Sequence, residues 1–140
     1  MNQFHSNETF ELEGGEWLHG LTIAYNTYGE LNSDRSNVVW VCHALTANSE
    51  VTGWWPGVVG KGEVINPEKY FIVCANILGS CYGTSGPLSL DVSGKPYYHR
   101  FPLVTIRDMV RAHLLLCRHL QLDKIALLMG GSMGGYQVLE

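Results

Sequence analysis

The sequence has no apolar run approaching the roughly 20 residues needed to cross a bilayer. Its first fifteen residues, MNQFHSNETFELEGG, carry no positive segment leading into an apolar stretch, so no signal peptide is visible. Together these absences read as a soluble, cytoplasmic protein without a membrane partner. Positive charge is not in excess either. Nine Lys and Arg against 13 Asp and Glu give a formal net charge of -4, which removes the electrostatic reason to expect a nucleic-acid partner. The four cysteines, at 42, 74, 81 and 117, form no CxxC or zinc-finger spacing, so neither a metal site nor a disulfide is expected. Cys42, Cys74 and Cys117 fall in apolar or helical patterns and read as small buried hydrophobes. Cys81, in a glycine-rich loop, is the only candidate for a place near a site. Repeats and low-complexity linkers are missing as well. What remains, 140 residues that are 46% hydrophobic and 16% charged, suits one globular domain and argues against disorder.

Several segments have a clear rhythm. GLTIAYNTY, Gly20 to Tyr28, alternates and is rich in β-branched and aromatic residues, which predicts a strand. After the polar turn NSDRSN comes VVWVC, Val38 to Cys42, a continuous apolar run of strand length. Continuous hydrophobicity is expected of a strand covered on both faces, as in α/β proteins. YFIVCANIL, Tyr70 to Leu78, and KIALLM, Lys124 to Met129, repeat that pattern. The Gly- and Pro-rich stretch 54–69 reads as loop with a short helical turn. The long loop from Gly79 to Val104 reads as ordered because of its aromatics, Tyr82, Tyr97 and Tyr98. Thr105 and Asp108 form a T-x-x-D capping box, and Ile106, Met109, Val110, Leu114, Cys117 and Leu120 recur at three and four residues. A helix starts there, and its His113 and His119 read as ordinary helix positions. Strand, helix, strand and tight turn in succession imply parallel strands joined by a crossover, with the turn at the carboxyl end of the sheet.

That turn is Gly130-Gly131-Ser132-Met133-Gly134, a match to G-x-S-x-G directly after a buried strand and ahead of a new helix. The geometry holds the serine in a strained conformation, lets strand and helix approach closely at the glycines, and aims free helix amides at the site. Ser132 is therefore the candidate nucleophile. The Met133 amide is one candidate oxyanion donor. The second is the amide of Leu45, in the HALTANSE loop that follows VVWVC. One absence stands out: only eight residues follow Ser132, and none is His or Asp. His43 opens the HALT loop but precedes the serine, and it reads as a loop-shaping residue.

HALT after a buried strand, CANILGSCYGTSGP, FPLVTIRDMVRA and GGSMGG, in that order, resemble the homoserine O-acyltransferases, most often acetyltransferases of methionine biosynthesis. The resemblance runs from about Gly20 onward. It implies an α/β-hydrolase fold, here the N-terminal part of a mostly parallel sheet ending just after the nucleophile turn. It also implies acyl transfer from acetyl-CoA, a co-substrate rather than a bound cofactor, to the hydroxyl of L-homoserine by a ping-pong route. Ser132 would be acylated first, with Leu45 and Met133 supplying the oxyanion amides. No metal is implied. Family members are longer, with a helical lid, and are commonly dimeric through it.

Residues 1–140 are thus expected to be an incomplete domain that lacks later strands, the lid, and the Asp or Glu and His that follow serine in this fold. On that expectation the isolated chain is almost inert, since loss of a triad base costs on the order of 10⁶ in turnover. KIALLM would then present an apolar edge that invites association. Two other readings stand beside the acyltransferase: a serine esterase of the same fold, and a non-catalytic domain that kept only the first half of it.

Overall fold

The computed structural model describes residues 1–140 as one five-stranded mixed sheet with helices and ordered loops on its two faces. The strands are β1 (Asn2–Glu11), β2 (Trp17–Tyr28), β3 (Val38–Cys42), β4 (Phe71–Ala75) and β5 (Leu127–Gly130), in the order β1-β2-β4-β3-β5. β3 pairs in parallel with β4 on one side and β5 on the other. β1 and β2 form an antiparallel hairpin that joins the sheet through β2 and β4. The parallel part is therefore β4-β3-β5, and the two N-terminal strands add an antiparallel edge. No helix is long and apolar enough to cross a membrane.

All five residues of β3 are buried, as expected of a strand covered on both faces. Trp40 and Cys42 join Ile23, Val73, Ala75 and Leu116 in the larger core, beneath the helix α2 (Ile106–His119). Val39 and Val41 point the other way, onto Ile72, Cys74, Val51 and Val59. That face is roofed by a one-turn helix, α1 (Val51–Trp54), and the loop after it. The helical turn expected within 54–69 instead precedes that stretch, sharing only Trp54 with it. Each fully buried Val, Leu or Ile contributes about 1.5–3 kcal/mol relative to exposure, so the two layers supply the main driving force.

Three sequence expectations shift when the chain is folded. β5 begins at Leu127 rather than Lys124, because its partner begins late: Ala126 N–H donates to Val38 O, and the ladder starts at Val39↔Leu127. β4 stops at Ala75 rather than Leu78, where its register with β2 ends at Tyr25↔Ala75. The helix α2 has its capping box as expected, with Thr105 and Asp108 exchanging side-chain and backbone bonds. Its buried face is rotated, however. His113 and Leu116 are buried, while Leu114 is exposed. Three consecutive leucines, 114–116, leave the phase of the helix open, and packing on the sheet selects the third.

The long loop after β4 is ordered as expected, and in part for the reason expected: Tyr97 packs against the core and edge-on to Phe101, while Tyr82 and Tyr98 are exposed. The rest of the order comes from Thr84 and Ser85, which stand in for a strand beside β2. Ala24 N–H donates to Thr84 Oγ1 at 3.0 Å, Thr22 N–H to Ser85 Oγ at 2.9 Å, and Ser85 N–H to Thr22 O at 2.8 Å. Buried backbone donors demand partners, and the loop supplies them where β4 has ended.

Candidate active site

Strand β5 runs directly into α3 (Met133–Leu139), and Ser132 sits between them with φ 54° and ψ -124°. A non-glycine residue in this region costs about 1–3 kcal/mol and persists only where its surroundings enforce it. The enforcement is visible. A Cβ on Gly134 would press into the Cys42 carbonyl, standing 2.7 Å from its carbon. One on Gly130 would meet the Gly134 carbonyl carbon at 2.5 Å and Cys42 O at 2.8 Å. The first turn of α3 therefore lies against the end of β3, and only glycines fit the contact. This presses Ser132 outward, where its side chain is exposed.

Cys42 is also the last residue before the HALT loop, so the same contact sets that loop beside the serine turn. His43 fixes the loop from below. It is fully buried; Ile77 N–H donates to its Nε2 at 3.3 Å, and the Nδ1–H donates to Ala44 O at 2.7 Å. These partners define the tautomer, because a backbone N–H can only donate. Burial lowers the pKa of His43, against the weaker opposing effect of the Ala44 carbonyl. Both ring nitrogens are engaged, and His43 is a loop-shaping residue as the sequence suggested.

The two amides expected to hold an oxyanion are placed at these two segments. Leu45 lies in the HALT loop with its side chain exposed, and Met133 is the first residue of α3. Neither amide donates to a turn or loop carbonyl. Next to Leu45 is an open, largely apolar pocket of about 390 Å³ that Ile77, Cys81, Tyr82, Phe101 and Met109 also line. Cys81 is exposed there. The other three cysteines are buried, and burial pushes the Cys42 and Cys117 thiols up to about 12 and about 11. No group of three or more His, Cys, Asp or Glu is arranged to hold a metal ion.

The remaining acidic candidates are committed elsewhere. Asp108 is wholly buried as the α2 cap and also accepts from Glu13 N–H at 2.9 Å. Asp91 is held well below the usual carboxylate range by Ser93, the Lys95 amide and Arg100, within its own loop. Sequence reasoning missed one buried pair behind the serine turn, His113 and Gln137. The signal available for His113 was its place on α2 between Met109 and Leu116; nothing marked Gln137.

A strained serine between a parallel strand and a helix, with a second loop held at the same sheet end, defines a nucleophile-elbow protein. Residues 37–140 match the family model for the alpha/beta hydrolase fold, and the chain belongs to that family. It is 51% identical over 138 residues to a homoserine O-acetyltransferase of Chlorobaculum tepidum, across 98% of this chain and 39% of that protein. Identity to the homoserine O-acetyltransferase of Moorella thermoacetica is 49%, across 96% of this chain and 39% of the relative. The chain thus spans about two fifths of the length of these relatives. Among solved structures, homoserine O-acetyltransferase from Bacillus anthracis superposes with a TM-score of 0.86 at 29% identity, over 97% of this chain and 41% of that one. The acetyl esterase MekB does so with a TM-score of 0.83 at 28% identity, over 97% of this chain and 38% of that one.

Proposed function

We propose that this chain carries the nucleophile and the oxyanion amides of a homoserine O-acetyltransferase, a step of methionine biosynthesis. Ser132 Oγ attacks the thioester carbonyl of acetyl-CoA while a base removes its proton. The Leu45 and Met133 amides receive the charge that develops on the carbonyl oxygen. Each such donor lowers the barrier by about 2.7–4 kcal/mol in comparable enzymes. The C–S bond breaks, CoA leaves as the thiol with the proton, and an acetyl ester remains on Ser132. The hydroxyl of L-homoserine then attacks that ester, the base taking its proton, and Ser132 regains its own as O-acetyl-L-homoserine departs. His43 has both nitrogens engaged and does not serve as that base. The substrates are small molecules, and the chemistry calls for no metal.

The observation that carries this reading is the 51% identity, over 98% of the chain, to a homoserine O-acetyltransferase. The test is acetylation of the full-length protein by acetyl-CoA. Mass spectrometry should find acetyl on the peptide holding Ser132 and show its loss on adding L-homoserine, and Ser132→Ala should abolish both. The structural likeness to an acetyl esterase supports a second reading, in which water takes the acetyl group. Release of acetate at the same rate with and without homoserine would favour it.

A further inference from the structure

Beneath the two oxyanion segments runs a set of buried polar groups that the chemistry above does not use. On the HALT side, His43 is tied to Ile77, and the next residue back, Asn76, offers its backbone as a hydrogen-bond partner to the His113 ring. His113 projects from α2 and packs against Trp40 of β3, ring centroids 5.8 Å apart. On the serine side, Gln137 lies one turn into α3, and its Nε2 donates to Met133 O at 3.4 Å. His113 and Gln137 both line one partly open cleft of about 80 Å³, with Trp40, Cys42 and Cys117 on its inner side and the exposed Leu114, Ile125 and Leu128 at its mouth. Only 5% of His113 and 3% of Gln137 is exposed, and His113 Nε2 and Gln137 Oε1 have no hydrogen-bond partner.

Two buried, unpartnered polar atoms, carried by residues of neighbouring helices that line the same largely apolar cleft, call for a partner. The space exceeds the roughly 10–15 Å³ that one water requires, and two polar partners meet the minimum for holding it. We propose that a single buried water bridges His113 Nε2 and Gln137 Oε1, making these two side chains positioning residues. The bridge fixes the Met133 end of α3 against the strand end that supports the Leu45 loop. The chemistry works for either tautomer of His113. With Nε2 bare, the water donates one hydrogen to it and the other to Oε1. With Nε2 protonated, the water accepts from it and donates to Oε1. This inference rests on the reading of Leu45 and Met133 as the oxyanion amides.

The test uses the full-length protein. A high-resolution crystal structure should show an ordered water within hydrogen-bond distance of both atoms. Gln137→Leu and His113→Phe should each slow acetylation of Ser132 by about tenfold, with the KM for acetyl-CoA within about twofold of wild type, the pattern of interactions lost in the transition state alone. Because the two partners share one bridge, the double variant should lose little more than the worse single variant. Gln137→Glu, which keeps an acceptor oxygen in place, should retain most of the rate. Absence of the water, or variants that lower Tm while leaving kcat intact, would overturn the proposal. If Ser132→Ala still became acetylated, the parent reading would fail instead, and the crystallographic water would still test the bridge.

Discussion

The glycine pair Gly134-Gly135 offers a sharp test of how the serine turn is built, because the same substitution at adjacent positions should have opposite signs. In Gly134→Ala, the new methyl carbon would stand 2.7 Å from the Cys42 carbonyl carbon and 3.0 Å from His43 O, and closer still to Cys42 O. The obstruction is main chain at the end of β3, a strand paired on both sides, so it cannot step aside like a flexible side chain. Overpacking costs about 1–3 kcal/mol where side chains can adjust, so a backbone collision belongs at or above the upper end. The gain of replacing glycine by alanine within a helix returns at most about 1 kcal/mol. A net loss of about 2–3 kcal/mol follows, roughly 5 °C in Tm for a protein of the relatives' length. In Gly135→Ala the nearest non-local atom is Gly130 O at 3.6 Å, an ordinary contact. That variant should gain about 0.5–1 kcal/mol from helix propensity alone. Thermal melting of the full-length protein, paired with the rate at which a fluorophosphonate labels Ser132, reads both effects. Gly134→Ala with wild-type Tm and wild-type labelling would refute the argument that this contact enforces the turn.

Two further outcomes follow from the same site. Ser132→Gly should be more stable than Ser132→Ala by about 1 kcal/mol in denaturant titrations, since only glycine relieves the positive φ, and neither should be acylated. His113 is held to a pKa of about 4, against an ordinary 6.5, chiefly by burial. The unfolded chain therefore binds the extra proton first, and stability falls by roughly 3 kcal/mol as pH drops from about 6.5 to about 4, a loss that urea titrations should show and His113→Phe should flatten.

Much of this architecture was legible because its signals are local. VVWVC announced a strand covered on both faces, Thr105 and Asp108 announced a cap, and GGSMGG after an apolar run announced a strand-to-helix turn. The strand Asn2–Glu11 was not foreseen. Its sequence, NQFHSNETFE, is mostly polar, and only Phe10 is buried, because an edge strand of an exposed hairpin needs little apolar content. The phase of α2 is hidden for a related reason: a run of leucines satisfies several helical faces, and tertiary packing picks one. His113 and Gln137 line the same cleft only because α2 and α3 pack side by side, a proximity of residues 24 positions apart that no local pattern encodes. The strained serine turn was readable from its glycines. The HALT loop beside it was readable only as the loop after an earlier strand, since the contact that sets it in place is between backbones.

Strand β5 pairs with β3 along one edge, and its other edge carries no partner. Polarity now becomes a matter of delivery. A strand laid parallel to β5 would finish at the same rim as Ser132, and whatever followed it would emerge within reach of the serine hydroxyl. A strand laid antiparallel would release its following residues at the opposite rim, about 13 Å away for a four-residue ladder. The direction of one added strand thus decides whether the residues after it meet Ser132 or miss it.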